Sequence, residues 1–147
     1  MDALTQTLRA TIQAADRAIT AQDYDALMAF YTEDASLVVK PGLVATGKAS
    51  ILRAFVAIAE HFNHSIVVTQ GNMQVIPGGD VALVIMETLL QATDTSGAET
   101  RITRRATYVF HLIAGKWLCA VDNSYGTTLL DEVTDSPTGP DPATTTP

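Results

Sequence analysis

Apolar residues return every three or four positions at the start of the chain and every second position from the middle onward. Leu4, Leu8, Ile12, Ala15 and Ile19 recur at helical spacing, with Arg9, Asp16 and Arg17 on other faces, which predicts an amphipathic helix over residues 3–20. Asp23 suits the N-cap of a second, shorter helix, because its carboxylate can accept a free backbone N–H and favours the positive helix end. Leu27, Met28, Phe30 and Tyr31 supply that helix's buried side. A strand over 36–39 is stopped by Pro41-Gly42. After Thr46-Gly47 a third helix is marked by the stripe Ile51, Leu52, Phe55, Ile58, Ala59 and Phe62.

From His64 the period changes to two. Residues 64–70 and 72–76 read as strand with a bend or bulge at Gly71, and Pro77-Gly78-Gly79-Asp80 as a turn. Two long β runs, 81–92 and 100–113, are joined by polar residues 93–99, and a tight connection at 114–116 leads to a last strand over 117–125. Three helices followed by consecutive antiparallel strands predict an α+β domain with the helices on one sheet face. Within 81–90 both faces are apolar: Val81, Leu83, Ile85 and Leu89 on one, Ala82, Val84, Met86 and Leu90 on the other. Three helices cover one face, so the other is expected to meet a second subunit, giving a homodimer through the sheet; the alternative cover is the C-terminal segment.

Composition narrows the function classes. Of 16 acidic residues, Asp131, Glu132, Asp135 and Asp141 follow residue 130, where there is no Lys or Arg. Residues 1–130 thus carry 12 acids against 9 bases, and no basic stripe marks a nucleic-acid site. Residues 131–147, acidic and rich in Pro and Thr, are expected to be a disordered tail behind a 1–130 domain. One cysteine, Cys119, fits a reducing compartment; no secretion signal and no membrane-spanning run are visible, so a cytoplasmic protein without membrane contact is expected. Cys119, flanked by apolar residues in mid-strand, reads as a packed small hydrophobe, and no ligand set for a metal can be assembled from His61, His64 and His111.

Four segments carry a family resemblance: Ala-Gln-Asp-Tyr-Asp-Ala-Leu at 21–27, Phe-Tyr-Thr-Glu-Asp-Ala at 30–35, Thr-Gly-Lys-Ala-Ser-Ile at 46–51, and Gly-Lys-Trp-Leu-Cys-Ala-Val-Asp-Asn-Ser at 115–124. Over residues 5–130 the chain resembles the nuclear transport factor 2-like superfamily, in its SnoaL-like and ketosteroid-isomerase-like branch. The resemblance implies a cone of three N-terminal helices on a strongly curved antiparallel sheet, usually dimeric, with a pocket at the open end. It implies a small-molecule site, and the reaction has to come from the residues.

Ketosteroid isomerase needs an Asp base and an oxyanion hole of a Tyr and a protonated Asp. The resemblance places the base position at Val39, the Tyr near Ala15 and the second Asp near Ala106 or Thr107, so that mechanism is excluded in its usual form. The Asp–Arg–Asp set of limonene-epoxide hydrolase-like members would map to Arg105 and Asp122, with Thr107 where the other Asp belongs. SnoaL-like cyclases move a proton with an acidic pocket residue, and Glu87, in phase with Val81, Leu83, Ile85 and Leu89, is expected to share their inward face and is the candidate; the alternative is that it pairs with Arg104 or Arg105.

Strand alternation sends one of Arg104 and Arg105 inward, and likewise one of Asp122 and Asn123. The apolar set Ile102, Ala106, Tyr108, Phe110 and Leu112 favours an inward Arg104, the family placement Arg105. The expectation is a cofactor-free and metal-free site for a small apolar organic compound. Glu87 and Asp122 would be its acids, and Tyr31, Val39, Arg104 or Arg105, Tyr108, Trp117 and Asn123 its lining. The alternative is a non-catalytic binding or dimerisation module.

Overall fold

The computed structural model describes residues 2–125; the tail expected at 131–147 lies outside the described residues. Helix α1 spans Ala3–Ala21 and is capped by Asp2, whose Oδ1 accepts from the Thr5 N–H at 2.8 Å. Helix α2 (Tyr24–Met28) is capped by Asp23, which accepts from the Ala26 N–H at 3.2 Å. Helix α3 (Lys48–His61) starts after Gly47 at φ 86°, a backbone setting that strains any side chain, and buries Ile51, Phe55 and Ala59.

Six strands follow the helical segments or lie between them: β1 Tyr31–Lys40, β2 Leu43–Thr46, β3 Val67–Gly78, β4 Val81–Thr93, β5 Glu99–Ile113 and β6 Lys116–Asn123. They form one sheet in the order β2-β1-β6-β5-β4-β3. All pairs are antiparallel except β1 with β6, which is parallel. Several boundaries differ from expectation: β3 starts at Val67 and not at His64, and β6 ends at Asn123 and not at 125. β1 starts five residues early, because its Thr-Glu-Asp-Ala segment runs on as strand beside β6. Pro41-Gly42 turns the chain back into β2. Pro77 and Gly78 stay paired with Ala82 and Val81, which leaves only Gly79 and Asp80 for the turn.

One core fills the concave side of this sheet. Leu8, Ile12 and Ala15 of α1, Leu27 of α2 and Ile51 and Phe55 of α3 pack on Tyr31, Leu37, Val84, Met86, Tyr108 and Phe110. The inward set on β4 is Ala82, Val84, Met86, Thr88, Leu90 and Ala92, all buried. That overturns the expected face. Val81, Leu83, Ile85 and Leu89 point to the convex side, and Glu87 goes with them, exposed. The cause is cross-strand volume. Register sets Ala82 opposite Phe110, Val84 opposite Tyr108 and Met86 opposite Ala106, so the aromatic face of β5 takes the smaller partners on β4.

Candidate functional site

Two bulges decide which polar side chains reach the inside. In β6, Val121 pairs with Val109 but Cys119 pairs with Phe110, so Ala120 is extra. Cys119 and Asp122, three residues apart and on opposite faces in strict alternation, are both buried as a result. In β3, Gln70 pairs with Thr88 and Met73 with Met86, which leaves Gly71 and Asn72 opposite Glu87. A Cβ at Gly71 would stand 3.2 Å from the Glu87 Cβ, so the bulge fits because this residue is glycine.

Under α1 and α2 these strands enclose a hollow. Asp16, Tyr31, Thr88, Arg104, Tyr108 and Asp122 supply its polar groups among Ile12, Ala15, Ile19, Leu27, Phe30 and Leu90. It offers about 460 Å³ of unfilled space counting its mouth, and about 30 Å³ of room inside, space for one or two waters.

Asp122 is 3% exposed and accepts two hydrogen bonds, from the Tyr31 hydroxyl at 2.6 Å and from the Ser124 N–H at 3.0 Å. Burial pushes its carboxyl above the usual range, and those two bonds work against the push. Tyr31 is pushed well above the ordinary tyrosine range, first by burial and then by the charge of Asp122, so it stands as a neutral donor. Arg104 lies with its guanidinium 5.1 Å from the Tyr125 ring centroid, and its Nη1 donates to the Ser124 carbonyl at 3.4 Å.

Asp16, on α1, is 8% exposed. Its Oδ2 accepts from Gln70 Nε2 at 2.8 Å. Burial pushes this carboxyl up to about 7 and the nearby Asp122 adds to the rise, while the Gln70 bond and Arg17 oppose it. A hydrophobic-stripe reading of the first helix passes over this residue as a polar face. Its signal was spacing: Asp16 follows Leu8 and Ile12 at successive intervals of four, in line with two of the most buried side chains.

Of the expected site residues, Tyr31, Arg104, Tyr108 and Asp122 come together around the hollow. Glu87 and Arg105 do not: they stand opposite each other on the convex face, beside a shallow depression with Asn72 and Gln74. Arg105 is outside because Arg104 shares the parity of Ala106, Tyr108 and Phe110, so the residue pattern overrides the family placement. Asn123 donates to Thr107 Oγ1 at 3.1 Å on the convex side, the Ala120 bulge having given Asp122 the inward place. Val39 lines an open apolar groove with Ala54, Ile58 and Phe62 of the α3 region, and Trp117 packs at the core's margin; neither borders the hollow.

What the arrangement can do follows from its unequal acids. Asp122 is held by two donors and Asp16 by one, so Asp122 is the better supported anion and Asp16 the group that changes protonation near neutrality. The hollow therefore presents an exchangeable proton, a guanidinium and tyrosine hydroxyls to anything that enters it.

Solved structures share this architecture at low identity. Aln2 from a Streptomyces species superposes with a TM-score of 0.78 at 15% identity, over 91% of this chain and 97% of that one. A proposed dehydratase of the nuclear transport factor 2-like family from Streptomyces avermitilis gives 0.70 at 19%, over 81% and 93%. A proposed scytalone dehydratase from Novosphingobium aromaticivorans gives 0.73 at 14%, over 81% and 80%. No curated protein matches the sequence. The family model for the SnoaL-like domain matches residues 8–120, most of the described chain, and with the cone-shaped α+β fold around it the chain belongs to the SnoaL-like domain family.

Proposed function

We propose that this SnoaL-like domain binds a small apolar organic compound in the hollow and transforms it by cofactor-free proton transfer, of the isomerase or dehydratase type. One observation carries the reading: Asp16 is buried against an apolar cavity, is pushed up to about 7, and shares that cavity with Asp122 and Arg104. In the proposed step the Asp16 carboxylate takes a proton from a carbon beside a carbonyl, and the negative charge gathers on the substrate oxygen. Arg104 offsets that charge, and the proton returns to a second carbon in an isomerisation, or to a β-hydroxyl that leaves as water as its C–O bond breaks in a dehydration. Asp122 and Tyr31 fix the cavity's second wall. Two of the structural neighbours are described as proposed dehydratases, which fits this class of chemistry.

The test is a thermal-shift screen of apolar carbonyl and epoxide compounds, followed by turnover assays with the parent and with Asp16→Asn. A compound that stabilises both proteins but turns over only in the parent supports the reading. Equal turnover in both removes Asp16 from the chemistry.

A second reading, the non-catalytic binding or dimerisation module, draws on the small inner room of about 30 Å³ and on the apolar convex face. There Val67, Ile76, Val81, Ile113 and Val121 are exposed beside half-buried Leu83, Ile85 and Leu89. A homodimer through that face fits both readings. Its check is sedimentation of the parent against Val81→Lys, which should shift a dimer toward monomer. No helix of the described residues is long and apolar enough to cross a membrane.

A further inference from the structure

Gln70 stands on β3, one edge of the sheet, and it is hydrogen-bonded to α1 from Nε2 to Asp16 Oδ2 at 2.8 Å. The other end of the same amide is unsettled. Gln70 Oε1 is buried and, among the described residues, has no hydrogen-bond partner. A buried acceptor left in this way costs free energy, so its presence needs a reason.

Asp16 also has two sides. It borders the inner hollow, and it borders an outer groove of about 600 Å³ between α1 and β3 that Gln13, Arg17, Thr20, Thr69 and Gln70 line. Asp16 thus stands in the wall between the hollow and an open cleft that Gln70 also lines. Charged and titratable groups facing Asp16 come from several elements. They are Arg17 on its own helix, Asp122 of β6, Arg104 and Tyr108 of β5, Tyr31 of β1, and Tyr125 after β6. The arginines can only donate and the ionised Asp122 can only accept, while the Tyr31 hydroxyl is already given to Asp122. Gln70 is the side chain hydrogen-bonded to Asp16, and its primary amide offers a strong donor and a strong acceptor at interchangeable ends.

We propose that Gln70 is the positioning residue of Asp16, turning its amide over so that it holds the carboxyl in both protonation states, and that Asp16 exchanges its proton with water in the α1–β3 groove. With Asp16 ionised, Nε2 donates to Oδ2, the arrangement seen. When Asp16 takes a proton from groove water, its new O–H donates to Oε1, the acceptor that otherwise has no partner. The carboxyl gains one proton, the water side loses one, and nothing else changes. This rests on reading Asp16 as the proton carrier, because a group that cycles between acid and base needs the same orientation in both forms.

The experiment is an NMR titration of the protein from pH 4 to pH 9, following the Asp16 carboxyl carbon and the Gln70 side-chain amide nitrogen, and it needs no substrate. The expected result is one shared midpoint for the two signals. Gln70→Met keeps chain length and packing but cannot donate. Because the bond to the anion is the stronger of the two that are lost, the Asp16 midpoint should rise by about one pH unit, a tenfold gain in proton affinity. Gln70→Glu, a second variant of the same shape, should give a pair that shares one proton across the range. A Gln70 signal that stays flat while Asp16 titrates, an unmoved midpoint in Gln70→Met, or no Asp16 midpoint in the range overturns the proposal. Turnover is read separately, in the Asp16→Asn assay, so a protein that shows the shared midpoint and no catalysis refutes the functional reading and keeps the role of Gln70.

Discussion

The β4–β5 ribbon sends one arginine to each of its two faces, and each arginine has carboxyl groups for company. On the convex side Glu87 and Arg105 stand directly opposite each other with water around them. On the concave side Arg104 shares the hollow with Asp122 and Asp16. Water screens the outer charges to the point where their mutual attraction is small, whereas the inner acids have lost their hydration and differ in the number of donors that replace it. The contrast teaches that an acid's chemistry in this fold comes from its face: the same residue types give a solvated surface in one place and a proton-exchanging group in the other.

The largest expected difference between the faces is in packing. Phe110→Ala, at a fully buried position on the concave side, should cost about 3–5 kcal/mol by urea denaturation. Leu83→Ala, half-buried on the convex side, should cost well under half of that at high dilution, and more at concentrations where a dimer forms. Equal costs at every concentration would erase the distinction.

Charge comes next. Folded Asp16 keeps its proton up to about 7, against 3.8 for an ordinary Asp, so the native state binds more protons than the unfolded chain between those values. Its contribution to stability is therefore fully present below about pH 3.8 and lost as pH rises through 7; above that the folded protein carries a penalty of up to about 4 kcal/mol. Asp16→Asn should consequently stabilise the protein by about 2–4 kcal/mol at pH 8–9 and by almost nothing at pH 4. A variant no more stable than the parent at pH 8 would place Asp16 in water.

Hydrogen bonds rank third. Tyr31→Phe removes one of the two donors to Asp122 and should cost about 1.5–3 kcal/mol, the usual worth of a bond to a charged group. Asp122 is already raised and would rise further without the hydroxyl, so the cost should grow as pH increases through its titration. The convex counterpart, Thr107→Val, loses the bond from Asn123 and should cost about 1 kcal/mol or less, with no pH dependence.

Much of this architecture was legible because it depends on periodicity and on punctuation. The helix stripes, the Asp23 cap, the Gly71 bulge and the four long strands follow from spacing that survives in the folded chain. The site was harder to read, because facing is a matter of parity, and parity fails where both sides of a strand are apolar or where a bulge inserts a residue. Val81–Leu90 is apolar on both sides, and the face expected inward is the convex one; the facing was settled by β5, whose Tyr108 and Phe110 stand across from Val84 and Ala82. The extra Ala120 in β6 is invisible in composition, yet it decides between Asp122 and Asn123. Asp16 and Gln70 come from elements 54 residues apart, and only the packing of α1 on the edge strand joins them.

Glu87 gives the smallest expected effect and the clearest check on the comparison. An inward Glu87, in phase with Leu83 and Ile85, would be a desolvated carboxyl, and Glu87→Gln would then stabilise the protein at alkaline pH and abolish any proton transfer it performed. In the structure that phase is the convex one, and the carboxylate faces Arg105 across the ladder where water reaches both. Its stem closes over Gly71, a contact that Gln keeps unchanged because the two side chains have the same shape. Glu87→Gln should therefore alter stability by no more than about 0.5 kcal/mol, with the small loss shrinking further in salt as the interaction with Arg105 is screened. The Asp16 midpoint and any turnover should stay where they are, since the sheet's own thickness of packed side chains separates the two carboxyls. A Glu87→Gln protein with a shifted Asp16 titration would mean that charge on the convex face reaches the hollow, and the two faces could no longer be treated as separate environments.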